Sequence, residues 1–206
     1  MPYLGDAKIY VGAGLVWEPA GGATPVTATE AFTGSDGADL SGATLDTGGF
    51  TWTVDRGAWS IQTNQGRATG TVSPSALMTF NPGVSDFDYT VKVTPGATTV
   101  DGLLLRYTDT SNYWRIDLQD TSNRVTLSKA VAGSETAFNS ATFTVATGVQ
   151  YTVRVVAYGS LLVVLVDGVH RISIVDTQWS TVTKVGLITA STSARFDDLS
   201  FTEIIT

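Results

Sequence analysis

The sequence contains no cysteine, one histidine and only two methionines in 206 residues. Without cysteine, the chain cannot form disulfides, thiolate metal sites or a cysteine nucleophile. A zinc site in a cysteine-free chain would need more than one histidine. Charged residues make up only 15% of the chain, whereas coiled coils and helical bundles are rich in Glu, Lys, Arg and Leu. These absences exclude disulfides, thiolate chemistry and a zinc site, and they argue against a coiled coil or helical bundle.

Positive charge is also scarce, with 12 Lys and Arg against 19 Asp and Glu, which gives a net charge of −7. An acidic chain gains nothing from counterion release on DNA or RNA, so we expect no nucleic-acid partner. No segment reaches the roughly 20 apolar residues of a membrane span. The start of the chain, MPYLGDAKIYVGAG, lacks the basic and apolar regions of a signal peptide. We therefore expect no membrane partner either.

Short runs of alternating apolar and polar residues fill the chain from Thr29 onward. Their spacing of about ten residues, with turn signals between them, is typical of an antiparallel β-sandwich or barrel. Asp167-Gly168 favours a type I′ hairpin turn, so residues 151–175 are predicted to form a three-stranded meander. Its middle run, 161–166, is apolar throughout, which predicts an interior strand covered on both faces. The predicted strands cover 50–54, 58–62, 89–93, 103–107, 113–118, 125–129, 143–145, 151–156, 161–166, 169–175, 185–189 and 196–201. A short helix over 128–137 is the alternative for that segment.

The first 27 residues differ in composition from the rest. Two strand-like runs flank a Gly-Ala-Gly turn, and a linker with two prolines and a Gly-Gly pair follows. A lone hairpin is marginally stable in water, and exposed apolar groups at this density mark an interface. We therefore predict an assembly arm over 1–27 and a sandwich domain over 28–206. The alternative is that the hairpin completes the core of the chain's own domain. The arm's contact residues are predicted to be Ile9, Tyr10, Val11, Leu15 and Trp17.

Several short motifs carry a resemblance to a known family. They are Glu30-Ala-Phe32, Asn112-Tyr-Trp114, Val166-Asp-Gly168 and Ala194-Arg-Phe-Asp-Asp198. Together they resemble the concanavalin A-like, LamG-like jelly rolls of phage tail proteins and bacterial surface proteins. Residues 8–17 resemble the opening of phage virion proteins that dock by an N-terminal hairpin. In one departure, Glu30 stands where such domains often have an aspartate.

This resemblance implies an all-β, antiparallel β-sandwich with a concanavalin A-like jelly-roll topology. It implies a structural component of a bacteriophage particle, assembled in the host cytoplasm with other virion proteins. A minor tail protein that forms a homo-oligomer, preferably a trimer, is the main expectation, with a lectin-like domain facing host-surface glycans. The alternatives are a capsid decoration protein and a free carbohydrate-binding module or lectin.

The inventory of carboxylates predicts that the protein is not an enzyme. Glycosidases use two carboxylates on one face, as acid and as nucleophile or base. None of the four glutamates of this chain has another carboxylate two to five residues further on. The single histidine, His170, follows the turn at Asp167-Gly168 and is interpreted as an ordinary hairpin residue, because nothing near it resembles a nucleophile elbow.

No cofactor is required, but the resemblance implies a structural calcium ion where the first and last strands meet. Calcium binds carboxylate and carbonyl oxygens, which such a junction offers. The alternative, which we favour, is that these acids cap turns, because Asp-Gly loops form turns without an ion. The candidate ligands are Glu30, Asp36, Asp39, Asp197 and Asp198.

A candidate glycan site lies on the alternating run 113–118. Trp114 shares one face with Ile116 and Leu118 and is expected in the core. The other face carries Tyr113, Arg115 and Asp117, and Arg106 is expected beside them from the preceding strand. An aromatic ring among charged groups suits a glycan. A solvated sheet face would show the same alternation without any ligand, and we favour that interpretation.

Overall fold

The computed structural model describes residues 23–70, 73–97 and 100–205 of the chain. Within those ranges all regular structure is β-strand, and no helix there is long and apolar enough to cross a membrane. The strands of this part are β1 (Thr27–Glu30), β2 (Thr53–Arg56), β3 (Ala58–Ile61), β4 (Gly66–Thr69), β5 (Ala76–Phe80), β6 (Phe87–Thr94), β7 (Asp101–Asp109), β8 (Asn112–Gln119), β9 (Arg124–Val131), β10 (Ser134–Thr142), β11 (Tyr151–Tyr158), β12 (Leu161–Val166), β13 (Val169–Val175), β14 (Val185–Thr189) and β15 (Arg195–Glu203).

These strands form two antiparallel sheets. The first sheet has the order β13-β12-β11-β6-β15-β4-β3, with β1 added on β15. The second sheet has the order β10-β9-β8-β7-β14-β5-β2. Their inner faces pack against each other, as in a sandwich. The prediction of an all-β antiparallel jelly-roll sandwich is confirmed.

The core between the sheets is rich in aromatic side chains. Trp52, Trp59 and Trp114 are at most 1% exposed. Trp52 meets Phe80 edge to face, with ring centroids 5.2 Å apart and planes at 84°, an arrangement that aromatic quadrupoles favour. Ile116 and Leu118 belong to the same core as Trp114. The period-two alternation of β8 therefore predicts its buried face correctly.

The meander over residues 151–175 is confirmed. β12 pairs with β11 on one side and with β13 on the other, so it is an interior strand. Leu162 and Val164 on one face join the main core. Val163 and Leu165 on the other face pack with Val156, which leaves both faces of β12 covered.

Two secondary-structure predictions are wrong. The alternative helix over 128–137 is a hairpin of β9 and β10, and Gly133 in its turn adopts a φ of 79° that favours glycine. The strand predicted over 143–145 lies outside the strands, because β10 ends at Thr142. Almost every residue of β10 is exposed, so no apolar alternation marks it in the sequence. The prediction also missed β1, β4 and β5, which are only four or five residues long.

The predicted arm, 1–27, lies almost entirely outside the described residues, including Ile9, Tyr10, Val11, Leu15 and Trp17. Its last residue, Thr27, begins β1 and pairs with Thr202 in β15. The Val26 N–H donates to a Glu203 carboxylate oxygen at 2.9 Å. The sandwich therefore includes residues on both sides of the predicted boundary at 28.

Candidate functional site

A group of polar side chains with limited solvent access lies on the outer face of the second sheet. Because successive side chains of a strand point to opposite faces, Arg115 and Asp117 face away from the core that holds Trp114. On the neighbouring strand β9, Ser128 pairs with Arg115 and Thr126 pairs with Asp117. The same alternation in β9 places these two hydroxyl groups beside the two charged groups.

A cavity of about 240 Å³ opens at this place. Strands β8 and β9 supply one part of its lining, and the edge strand β10 supplies the rest. The lining residues are Arg115, Gln119, Arg124, Thr126, Ser128, Glu135, Ala137 and Ser140. All except Ala137 carry a hydrogen-bonding side chain, so the cavity is polar rather than apolar.

Arg115 lies between two carboxylates. Its Nε is 2.9 Å from Asp117 Oδ2, and its Nη1 donates to Glu135 Oε1 at 2.8 Å. The Tyr113 hydroxyl donates to the same Glu135 oxygen at 2.7 Å. The Asp117 side chain is fully buried, whereas that of Glu135 is 40% exposed. The network therefore connects a buried carboxylate to one that a ligand can reach.

Burial and charge set the protonation of this cluster. Loss of hydration raises the pKa of Asp117 to about 7, although the positive charge of Arg115 opposes the change. Burial also disfavours the charged form of Arg115, but Asp117 and Glu135 outweigh it and raise the Arg115 pKa. Burial, together with the bond to Glu135, raises the pKa of Tyr113 to about 12. Tyr113 therefore stays a neutral donor at physiological pH.

Thr126 adds an unusual feature. Its side chain is 3% exposed, and its Oγ1 has no hydrogen-bond partner among the residues that the structure describes. Buried hydroxyl groups in folded proteins are nearly always paired. Thr126 also belongs to the cavity lining, but its Oγ1 itself has almost no accessible surface.

Of the predicted glycan residues, the structure brings together Tyr113, Arg115 and Asp117 and places Arg106 elsewhere. The pairing of β7 with β8 shifts between Leu105 and Asp109, and Arg106 in this bulge has a φ of 46°. Its guanidinium donates to the Gly159 carbonyl in the turn between β11 and β12, and it is fully buried. The prediction that Arg106 shares the face of Arg115 is therefore wrong, because the bulge interrupts the alternation.

The sequence prediction missed most of the cavity lining. The alternation of Val125 and Leu127 with Thr126 and Ser128 was a usable signal for β9. Glu135 had no such signal, because it reaches Arg115 only through the hairpin that brings β10 alongside β9.

The predicted calcium ligands each have protein partners. Glu30 accepts the Phe32 N–H at 2.7 Å and the Trp52 indole N–H at 3.2 Å, one on each carboxylate oxygen. Burial raises the pKa of Glu30. Asp36 and Asp39 accept backbone N–H groups in turns, from Thr63 and Ser41.

The two acids of β15 are engaged as well. Asp197 accepts the backbone N–H of Asp198 at 2.8 Å, and Asp198 pairs with Lys92 at 2.5 Å. Across the described ranges, no three His, Cys, Asp or Glu side chains form a group that could hold a metal. The structure therefore does not assemble the five predicted ligands into one site, and calcium binding stays a prediction.

Comparisons with known proteins show the fold. No protein-family model matches the chain, and no curated protein matches it. Among solved structures, the carbohydrate-binding module CBM66 from Bacillus subtilis aligns with a TM-score of 0.65 and 16% identity, over 74% of this chain and 95% of that one. Domain 4 of AbnA, a GH43 extracellular arabinanase from Geobacillus stearothermophilus in complex with arabinotriose, aligns with a TM-score of 0.58 and 15% identity, over 88% and 94%. The Crh5 transglycosylase aligns with a TM-score of 0.60 and 11% identity, over 88% of each chain.

All three share the jelly-roll sandwich with this protein. Identities of 11 to 16% support a common fold and nothing finer. None of the three is described as a virion protein, so the predicted place in a phage particle gains no support from them.

Proposed function

We propose that the protein is a carbohydrate-binding, lectin-like module whose ligand occupies the cavity on the outer face of β8, β9 and β10. The observation that carries this proposal is Arg115, held between Asp117 and Glu135 beside a lining of hydroxyl and amide groups. Sugar hydroxyls both donate and accept hydrogen bonds. Arginine offers donors and Glu135 offers acceptors to such groups, and charge-assisted bonds are the stronger ones.

The structural comparisons suit this choice without excluding an enzyme, because the Crh5 structure among them is a transglycosylase. CBM66 is named as a carbohydrate-binding module, and AbnA domain 4 was solved with arabinotriose. The sandwich fold alone does not decide function. The cavity and its charged network are therefore the features that the proposal depends on.

We also propose that the module does not hydrolyse its ligand. A glycosidase needs two carboxylates that reach the bond to be cleaved. Glu135 is the one carboxylate among the residues that line the cavity, while Asp117 beneath it is fully buried. Incubation with a polysaccharide panel should release no reducing sugar. Turnover that disappears in Glu135→Gln would contradict this.

The finer expectation, a minor tail or decoration protein of a phage, depends mainly on the predicted arm. That arm lies almost entirely outside the described residues. Mass spectrometry of purified particles would decide it. A glycan-binding module suits a virion surface and a free lectin equally well, so this result leaves the proposed cavity function untouched.

A glycan array with the full-length protein tests the proposed function. Glu135→Gln removes the acceptor charge of the cavity, and Asp88→Asn is the matched control, because Asp88 pairs with Arg154 on the outer face of the first sheet. We expect the wild type to bind glycans on the array. Glu135→Gln should weaken this binding about tenfold, the effect of one charge-assisted bond, and Asp88→Asn should leave it unchanged. No binding to any glycan, or equal binding by both variants, would refute the proposal.

A further inference from the structure

We infer that the cavity on β8, β9 and β10 binds an acidic saccharide, with the anionic group of the sugar at Arg124 and its hydroxyl groups at Glu135. This inference depends on the proposed function and adds the chemical class of the glycan. It follows from the charges of the lining, from the hydrogen-bonding groups at each end of the cavity and from the register of the two strands beneath it.

The charges of the lining leave one cation in surplus. Arg115, Arg124 and Glu135 are the charged residues that line the cavity. Glu135 balances Arg115 through an ion pair of 2.8 Å. Among the residues that the structure describes, no carboxylate forms an ion pair with Arg124, and its Nε donates a long hydrogen bond of 3.5 Å to the Ser122 carbonyl. Arg124 is exposed, so a ligand can reach its charge.

Asp117 does not cancel this surplus below neutral pH. Its side chain is fully buried and is not part of the cavity lining. Loss of hydration raises the pKa of Asp117 to about 7, so most of this group is protonated at pH 6. A uronic acid is a carboxylic acid and stays ionised at that pH, because such groups have pKa values near 4. Measurements at pH 6 therefore isolate the charge of the ligand.

The Arg124 end of the cavity offers hydrogen-bond donors. Gln119 pairs with Arg124 across β8 and β9 and also lines the cavity. The Gln119 Oε1 accepts the Ser122 hydroxyl at 2.7 Å, so the amide nitrogen is the group that remains for a ligand. A guanidinium and an amide nitrogen donate hydrogen bonds and accept none. A carboxylate or sulfate group, which only accepts, therefore matches this end.

The Glu135 end offers an acceptor instead. The Tyr113 hydroxyl and Arg115 Nη1 both donate to Glu135 Oε1, so Oε2 is the oxygen that remains for a ligand. A carboxylate oxygen accepts a hydrogen bond from a sugar hydroxyl, but it repels an anion. Hydroxyl groups of the saccharide should therefore bind here, and its anionic group should lie at the other end.

The register of β8 and β9 keeps the two ends apart. Arg115 pairs with Ser128, and Gln119 pairs with Arg124 four residues away on each strand. At about 3.3 Å per residue, the two pairs are roughly 13 Å apart. Charges separated by more than about 8 Å are largely screened at physiological salt, so Glu135 repels an anion at Arg124 weakly. The cavity is open to solvent, so a saccharide of more than one ring can connect the two ends.

Titration of the full-length protein by calorimetry, at pH 6 and low salt, tests this inference. The first pair of probes is the trimer of galacturonic acid and its methyl ester, which has nearly the same shape without the charge. The second pair is a sulfated galactan oligosaccharide and its desulfated form, which distinguishes a sulfate from a carboxylate. The test variant is Arg124→Gln. The matched control is Arg195→Gln, because Arg195 lies in β15 of the first sheet and also donates to a carbonyl, that of Ser193.

We expect the acid of at least one pair to bind about fivefold more tightly than its uncharged form, the upper value for one exposed ion pair. Arg124→Gln should remove this preference and leave the Kd of the uncharged form unchanged. Arg195→Gln should bind both forms like the wild type. Added salt should weaken binding of the acid alone, because it screens charges. A purely structural role of Arg124 would weaken binding of both forms equally.

Four results would overturn the inference. Equal or tighter binding of the uncharged form in both pairs would refute the anionic group. A preference for the acid that persists in Arg124→Gln would refute its position. Array binding of neutral glycans that is lost in Glu135→Gln, without binding of either acid, would refute the inference and keep the proposed function. Absence of binding to every saccharide would refute both.

Discussion

The outer faces of the two sheets carry the same kinds of residue in different surroundings. On the first sheet, Arg154 pairs with Asp88, and the two side chains are 29% and 28% exposed. On the second sheet, Arg115 pairs with Asp117, and the corresponding values are 11% and 0%. Water screens the first pair, whereas the second has lost most of its hydration.

The two pairs also have different neighbours within their sheets. The outer face of the second sheet continues from Arg115 to Leu104, its pairing partner on β7, and then into an apolar cluster with Leu77 and Ile188. Gly102 pairs with Asp117, and a side chain there would meet the Ile116 carbonyl. The strands therefore approach closely beside Asp117. Burying the charged part of such a face costs desolvation free energy. We therefore connect the retention of these charges with ligand binding.

Removal of each arginine should give the largest contrast between the faces. Arg115→Ala leaves Asp117 buried without its partner, and the free energy of unfolding should fall by about 3 to 5 kcal/mol. Arg154→Ala breaks a pair that water already screens, and the loss should be at most about 1 kcal/mol. Urea denaturation measures both values. Equal losses would mean that the two faces do not differ in the way described.

The pH dependence of stability should be the next largest effect. The folded protein holds the Asp117 proton up to a pKa of about 7, whereas the unfolded chain releases it near 3.8. The folded state thus binds more protons over this interval, so stability falls as the pH rises through it. Ionisation of Asp117 should lower the free energy of unfolding by about 2 to 3 kcal/mol between pH 5 and pH 8. Thermal unfolding at several pH values should show a flatter profile for Asp117→Asn, while Asp88→Asn keeps the wild-type slope.

Of the two carboxylate partners of Arg115, Glu135 should contribute less to the free energy of unfolding than Asp117. Glu135 is 40% exposed, so Glu135→Gln should change the free energy of unfolding by less than about 1 kcal/mol. The same substitution is expected to weaken glycan binding, as proposed above. A large loss of stability together with unchanged binding would instead make Glu135 a structural residue.

Chelation should have the smallest effect. Both oxygens of Glu30 accept N–H groups of the protein, and Asp198 pairs with Lys92. We therefore expect excess EDTA to leave the Tm unchanged. A bound ion would stabilise the folded state by mass action, so a lower Tm that calcium restores would support the predicted calcium site at the junction of the first and last strands.

Local sequence patterns predicted the fold and part of the site. The alternation in 113–118 placed Trp114 in the core and Arg115 and Asp117 on the opposite face, because side-chain direction in a strand depends only on the local backbone. The turn at Asp167-Gly168 predicted the meander in the same way. Where the local rule was interrupted, as by the bulge at Arg106, the prediction failed.

The sequence by itself determined the all-β class, the buried face of β8 and the isolation of each glutamate from a second carboxylate nearby in the chain, since composition, spacing and a two-residue period are properties of the chain alone. Only the tertiary structure decided that Asp117 is buried and that Glu135, 20 residues beyond Arg115, reaches its guanidinium. Both depend on which strands become neighbours and in what register. Pairing and burial are long-range outcomes, because they arise from contacts between segments that are distant in the sequence.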